Sequence, residues 1–160
     1  MWHHVSHNPK NVIFMDMETR LKRPPHIFGD FRFPPFRNDV FDCVIFDPPY
    51  YTRKEPEGWM FFNPEMKQTK YAKRATSPCN HWGCYKDKRE LLTQIVKGQK
   101  ALARVAKRMC FKWCEGKMTL WQVLSLFTEW TEIYRRNWTS TRNKYKKSKS
   151  SWVTLVRCLG

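Results

Sequence analysis

The sequence predicts an α/β fold in which β-strands alternate with α-helices within a single domain. Two observations support this prediction. Short apolar runs in the first fifty residues end abruptly in an acidic residue, which is typical of strands that lead into turns. The second half of the 160-residue chain carries apolar residues at helical spacing, followed by two strand-like segments. With 41% hydrophobic residues, a chain of this length can bury a core.

Three strands are predicted in the first fifty residues. Two apolar runs, residues 11–16 and 26–30, each end in an aspartate. Residues 44–46, Val-Ile-Phe, indicate a buried strand that stops at residues 47–50, Asp-Pro-Pro-Tyr. Because proline has a fixed φ and no N–H, two in succession cannot continue a sheet. The strand is therefore expected to end at a stiff corner with one carboxylate and one aromatic ring, where open α/β sheets bind ligands.

The second half predicts a helix, a strand, a second helix and a hairpin. Residues 86–109 are predicted to be helical, and residues 109–114 fit a strand. Thr119 with Gln122 three positions later predicts a capping box that opens the second helix. The chain is then expected to form a final strand pair, residues 132–139 and 151–158.

Residues 47–50 resemble the DPPY motif of S-adenosylmethionine-dependent amino-methyltransferases, which methylate the exocyclic amines of adenine or cytosine. The resemblance implies a Rossmann-like methyltransferase sheet with flanking helices. It also implies an adenine target, because the cytosine branch more often carries serine in place of Asp47. Asp47 and the Pro48 carbonyl would each accept one amine hydrogen, Pro49 would stiffen the corner, and Tyr50 would stack on the extruded base. The alternative is an ordinary Asp-Pro-Pro turn, since turns favour the same residues.

The resemblance also implies residues that hold S-adenosylmethionine. Asp16, with Glu18 as a substitute, would grip the cofactor ribose, and Asp30 with Phe31 would meet the cofactor adenine. The family's glycine-rich loop is missing, because no two of the six glycines lie close together. The fold is therefore expected to be truncated at its N-terminal βα unit. Three explanations stay open: a compact active enzyme, a subunit completed by a second copy or a partner, or a degenerate homologue that is a non-catalytic nucleic-acid-binding module or regulatory subunit.

The net charge of +16 predicts a polyanionic partner, with DNA or RNA ahead of an acidic membrane surface. Basic and aromatic residues are interleaved in a long loop, residues 51–85, and in the hairpin connection, residues 140–150. We expect the loop to contact the substrate. The residues predicted to bind nucleic acid are Arg53, Lys54, Lys70, Lys73, Arg74, Lys112, Arg142, Lys144, Lys146 and Lys147.

The six cysteines do not predict a metal site. Residues 79–84, Cys-Asn-His-Trp-Gly-Cys, resemble part of a zinc knuckle but supply only three ligands. The other four are expected to be small buried apolar residues: Cys43, Cys110, Cys114 and Cys158. No apolar run is long enough to span a membrane and no signal-peptide core is present, so a reducing cytoplasm is expected, that of the host if the protein is viral.

Overall fold

The computed structural model describes residues 11–18, 24–50, 52, 85–115, 118–140 and 148–158. Its strands and helices, in chain order, are β1 (Met15–Asp16), β2 (Ile27–Phe28), β3 (Phe41–Phe46), α1 (Lys88–Val105), β4 (Ala106–Cys114), α2 (Leu120–Leu124), β5 (Trp130–Ser140) and β6 (Ser148–Arg157). Most of the predicted loop 51–85 and residues 141–147 of the predicted connection 140–150 lie outside the described residues.

The larger sheet is open and mixed, with the strand order β3-β4-β6-β5. β3 and β4 are parallel, whereas β6 is antiparallel to both of its neighbours. The pairing of β5 with β6 confirms the predicted final strand pair. β1 and β2 form a separate two-stranded parallel sheet. The assignment of this arrangement as a Rossmann-like sheet remains a prediction.

α1 begins at a well-formed cap and ends earlier than its sequence predicts. The Asp87 side chain accepts a hydrogen bond from the Glu90 backbone N–H at 2.9 Å, which satisfies a donor of the first turn. The predicted helix runs to residue 109, but α1 ends at Val105 and β4 begins at the next residue. Met109 lies four residues after Val105 and two before Phe111, so its position fits both periods. Pairing with β3 and β6 favours the strand.

The predicted capping box of α2 is confirmed. The Gln122 N–H donates to Thr119 Oγ1 at 3.3 Å, and the Thr119 N–H donates to Gln122 Oε1 at 3.0 Å. The helix is only five residues long. Phe127 and Trp130 continue its apolar spacing and are buried, although they follow the end of the helix.

The core lies between the two helices and one face of the larger sheet. Alternate strand residues on this face are at most 5% exposed: Phe46, Met109, Phe111, Trp113, Val153 and Leu155. In the described part of the chain, no helix covers the opposite face. We call this the uncovered face; its central positions are Cys43, Ile45, Arg108, Cys110, Lys112, Thr131, Tyr134, Arg136, Trp152, Thr154 and Val156.

Two expectations about burial are wrong. Residues 44–46 were expected to be buried, but Ile45 is 60% exposed. The reason is that β3 is an edge strand of a sheet whose described helices lie on the other side. None of the four cysteines expected in the core is fully buried, since Cys43 and Cys158 are exposed and Cys110 and Cys114 are half-buried. Among the described residues, no helix is both long and apolar enough to cross a membrane.

Candidate active site

The carboxylate of Asp47 is held at the carboxyl end of β3. Asp47 directly follows Phe46, which is paired with Phe111 of the parallel strand β4, so the next residue of β4, Lys112, lies beside it. Lys112 Nζ is 3.0 Å from Asp47 Oδ2. The Asp47 side chain is 6% exposed and that of Lys112 is 25% exposed. The result is a largely buried carboxylate with one charged partner.

Burial and Lys112 act in opposite directions on the pKa of Asp47. Burial disfavours the carboxylate and raises the pKa, whereas the hydrogen bond and the positive charge of Lys112 lower it. The net effect is a raised pKa, so burial outweighs the ion pair. Lys112 also lies 5.8 Å from the ring centroid of Trp152. Lys112, which the sequence assigns to nucleic acid, is thus held between a carboxylate and an indole.

The other residues of the corner pack against the core. Pro48 is buried, and Pro49 and Tyr50 are half-buried. The Tyr50 ring meets the buried Trp113 ring edge-on, with 6.1 Å between centroids and an interplanar angle of 70°. The Tyr50 ring, which the sequence assigns to base stacking, therefore packs against a core residue.

The predicted cofactor residues Asp16 and Asp30 lie at or just after the carboxyl ends of the two parallel strands of the small sheet. Asp16 ends β1, and its Oδ1 accepts the backbone N–H of Glu18 at 2.9 Å. The Gly29 N–H donates to the Asp16 carbonyl at 3.0 Å, which brings the residue before Asp30 next to the end of β1. Because the strands are parallel, both carboxylates lie at the same edge of the small sheet.

Arg32 forms an ion pair with the carboxylate of Asp30 and contacts both of its oxygens. Arg32 Nε lies 2.8 Å from Asp30 Oδ1 and 2.7 Å from Oδ2, Arg32 Nη2 also pairs with Oδ2, and the Arg32 backbone N–H donates to Oδ1 at 2.9 Å. The side-chain hydrogen bond from Arg32 lowers the pKa of Asp30 in spite of partial burial. Arg32 Nη1 further donates to Gln94 Oε1 of α1 at 2.6 Å. Arg32 is not among the residues predicted from the sequence, although the Asp-x-Arg spacing of Asp30 and Arg32 indicates such a pair.

Phe31 connects the two groups of predicted residues. Its ring packs on Phe46, the residue before Asp47, with 5.1 Å between centroids. It also lies directly over Gly98 of α1, where a Cβ would come within 2.3 Å of Phe31 Cε2. Phe31, predicted to contact the cofactor, thus packs between β3 and α1.

The remaining predicted residues lie outside the described part of the chain. They are Arg53, Lys54, Lys70, Lys73, Arg74, Arg142, Lys144, Lys146 and Lys147, together with the cysteines and histidine of residues 79–84. Within the described residues, no group of three or more His, Cys, Asp or Glu side chains could hold a metal ion. Comparisons with protein-family models, with curated proteins and with solved structures return no match.

Proposed function

We propose that this protein is an S-adenosylmethionine-dependent methyltransferase that transfers a methyl group to the exocyclic amine of adenine in DNA or RNA. The buried carboxylate of Asp47 carries the proposal. It lies at the carboxyl end of a parallel strand, directly before two prolines, and its burial outweighs the ion pair with Lys112. Carboxylates held at such an energetic cost are typical of functional sites.

The chain's own groups would orient the amine. Asp47 would accept a hydrogen bond from one amine hydrogen and the Pro48 carbonyl from the other, which turns the nitrogen lone pair away from the base plane. Lys112 holds Oδ2 of Asp47 and so fixes the direction of the carboxylate. The raised pKa of Asp47 makes it a stronger acceptor for the proton that the amine loses as its new N–C bond forms.

The predicted cofactor residues fit S-adenosylmethionine only in part. Asp16 ends a strand, as the resemblance implies for the acid that binds the ribose, and one of its oxygens, Oδ1, accepts the Glu18 backbone N–H. Asp30 does not suit the cofactor adenine in the described arrangement, because Arg32 engages both of its oxygens. The cofactor would supply an electrophilic methyl group on a sulfonium.

A second candidate function is a non-catalytic nucleic-acid-binding module or regulatory subunit. The Asp30–Arg32 pair favours this second candidate. The Asp30 carboxylate already pairs with Arg32 of its own loop, so it does not require the amine of a cofactor as a hydrogen-bond donor. A subunit completed by a partner is a related possibility. Among the described strands, β3 pairs only with β4 and leaves its other edge for an added strand.

The test measures transfer of a labelled methyl group from S-adenosylmethionine to DNA and RNA oligonucleotides that contain adenine. We expect transfer by the wild-type protein and a loss of about 100-fold or more in Asp47→Asn, because the variant removes the carboxylate that orients the amine. Asp42→Asn is the matched control, since Asp42 is an exposed aspartate of β3, the strand that Asp47 directly follows. Equal transfer by both variants would refute the assigned role.

Calorimetry separates the two candidate functions. An enzyme should release or absorb heat on binding S-adenosylmethionine, whereas a pure binding module should show no cofactor heat and tight, salt-sensitive binding of nucleic acid. The combination of no cofactor heat and no methyl transfer would establish the second candidate in place of the first.

A further inference from the structure

The uncovered face is ordered into rows by the strand register. The row nearest the candidate site contains Lys112, Trp152 and Arg136 on three successive strands. The next row contains Ile45, Cys110, Thr154 and Tyr134. The third contains Cys43, Arg108, Val156 and Thr131.

Two aromatic side chains of this face are exposed. Trp152 is 41% exposed and Tyr134 is 61% exposed. Tyr134 lies two residues from Arg136, the direct partner of Trp152, so the two aromatic residues are diagonal neighbours about 7–8 Å apart. Because they are neighbours, the two rings form one contiguous exposed patch, and contiguous apolar patches mark binding sites more often than single exposed residues do.

The charge of the face is of one sign. Arg108 and Arg136 are exposed, and Lys112 is half-buried. Among the described residues of the face, the nearest carboxylate is Asp47 at its edge, where Lys112 pairs with it. A polyanion is therefore the complementary partner. A second copy of this chain, which carries a net charge of +16, is repelled.

We propose that the uncovered face binds single-stranded nucleic acid, with unpaired bases on Trp152 and Tyr134 and phosphates on Arg108 and Arg136. Stacking on exposed aromatic rings requires bases that are free of a duplex. Arg136 lies next to both aromatic residues and Arg108 lies in the third row, so each could bind a phosphate of the backbone on either side of the stacked bases. The row of Lys112, Trp152 and Arg136 leads to Asp47, so the bound strand passes the corner at which an adenine would enter. The inference rests on the proposed function only for the identity of that base.

Fluorescence anisotropy of the full-length protein with a labelled 12-nucleotide strand, in the absence of cofactor, tests this surface. We expect the Kd of Trp152→Ala to rise about tenfold, as for loss of one stacked base. Arg136→Gln should weaken binding and reduce the salt dependence by about one counterion. Trp121→Ala is the matched control, because Trp121 is 70% exposed on α2, on the other side of the sheet. The Kd of this variant for the labelled strand should change less than twofold. The matching duplex should bind more weakly than the single strand.

The proposal would be overturned if Trp152→Ala and Trp121→Ala changed the Kd equally while circular dichroism showed that both variants are folded. Hydroxyl-radical oxidation read by mass spectrometry gives an independent measure. Trp152 should be oxidised in the free protein and protected by the bound strand, whereas Trp121 should be oxidised in both. Protection of Trp152 in the free protein would show that the chain itself covers the face and would also overturn it. Neither measurement depends on methyl transfer. If the protein transfers no methyl group, both measurements still test whether this face binds nucleic acid.

Discussion

Lys112 Nζ and Asp47 Oδ2 lie 3.0 Å apart and join the two parallel strands at the candidate site. The pair does not compensate for the burial of the carboxylate, because the pKa of Asp47 is still raised. Buried ion pairs are often no more stabilising than apolar residues of the same volume. The pair therefore fixes the direction of the Asp47 carboxylate without offsetting the full cost of its burial.

Removal of Lys112 should expose the energetic cost of burying Asp47. Lys112→Met keeps most of the side-chain volume and leaves the carboxylate without its cation, so we expect a loss of about 1–3 kcal/mol in the free energy of unfolding at pH 7. The double variant Lys112→Met/Asp47→Asn should recover most of this loss, because it removes both charges. Urea denaturation of the four proteins gives the coupling energy. Additive effects would show that the two groups do not interact.

Asp47 and Asp30 should affect the pH dependence of stability with opposite signs. The folded-state pKa of Asp30 is lowered by Arg32, so its contribution is present above the unfolded pKa of about 4 and is lost as the pH falls through the folded value. The folded-state pKa of Asp47 is raised by burial. Between about pH 4 and the folded-state pKa of Asp47, the folded state binds more protons than the unfolded state does. The free energy of unfolding therefore declines as the pH rises through this range.

Two amide variants measure these contributions against the wild-type protein. Asp30→Asn should be less stable at pH 7 and should approach the wild type below pH 3. The stability of Asp47→Asn relative to the wild type should be higher at pH 7 than at pH 3. Thermal unfolding followed from pH 3 to pH 7 checks both trends. If the stability of both variants relative to the wild type changed in the same direction between pH 3 and pH 7, the assigned causes of the pKa changes would be wrong.

Local sequence signals predicted the order of the elements but not their ends, since the strands expected over residues 11–16 and 26–30 span only Met15–Asp16 and Ile27–Phe28. Long-range register determined the contacts between elements. The cap of α2 was predictable because Thr119 and Gln122 are three residues apart. The partner of Asp47 was not, since Lys112 is 65 residues away and reaches it only when β3 and β4 pair in one register. The exposure of Ile45 likewise depends on which strand lies at the sheet edge, which the apolar run 44–46 does not encode.

Gly98 is required inside α1 by the ring of Phe31. Alanine favours a helix interior by about 1 kcal/mol over glycine, so Gly98→Ala would be stabilising if propensity decided the outcome. A Cβ at this position would lie 2.3 Å from Phe31 Cε2, and we therefore expect the variant to lose about 1–3 kcal/mol of stability. Phe31→Leu removes the ring edge, so the double variant should be more stable than the sum of the single effects predicts. A gain of stability in Gly98→Ala alone would refute the packing explanation.

Arg104 holds the loop that leads from Asp30 to β3. Its Nη1 donates to the Phe36 carbonyl at 2.6 Å and to Asn38 Oδ1 at 3.0 Å, and its Nη2 donates to the Pro34 carbonyl at 2.9 Å. A lysine ammonium cannot reproduce this fork, so Arg104→Lys should lose about 1–3 kcal/mol although the charge is kept.

Hydrogen exchange provides a local measure of the same anchor. The Asp39 amide donates to the Arg104 carbonyl at 3.0 Å, and its exchange should accelerate as the loop loosens. Arg89→Lys is the matched control, because Arg89 is an exposed arginine of the same helix. If both variants unfold at the same urea concentration and protect the Asp39 amide equally, the guanidinium of Arg104 does not anchor the loop.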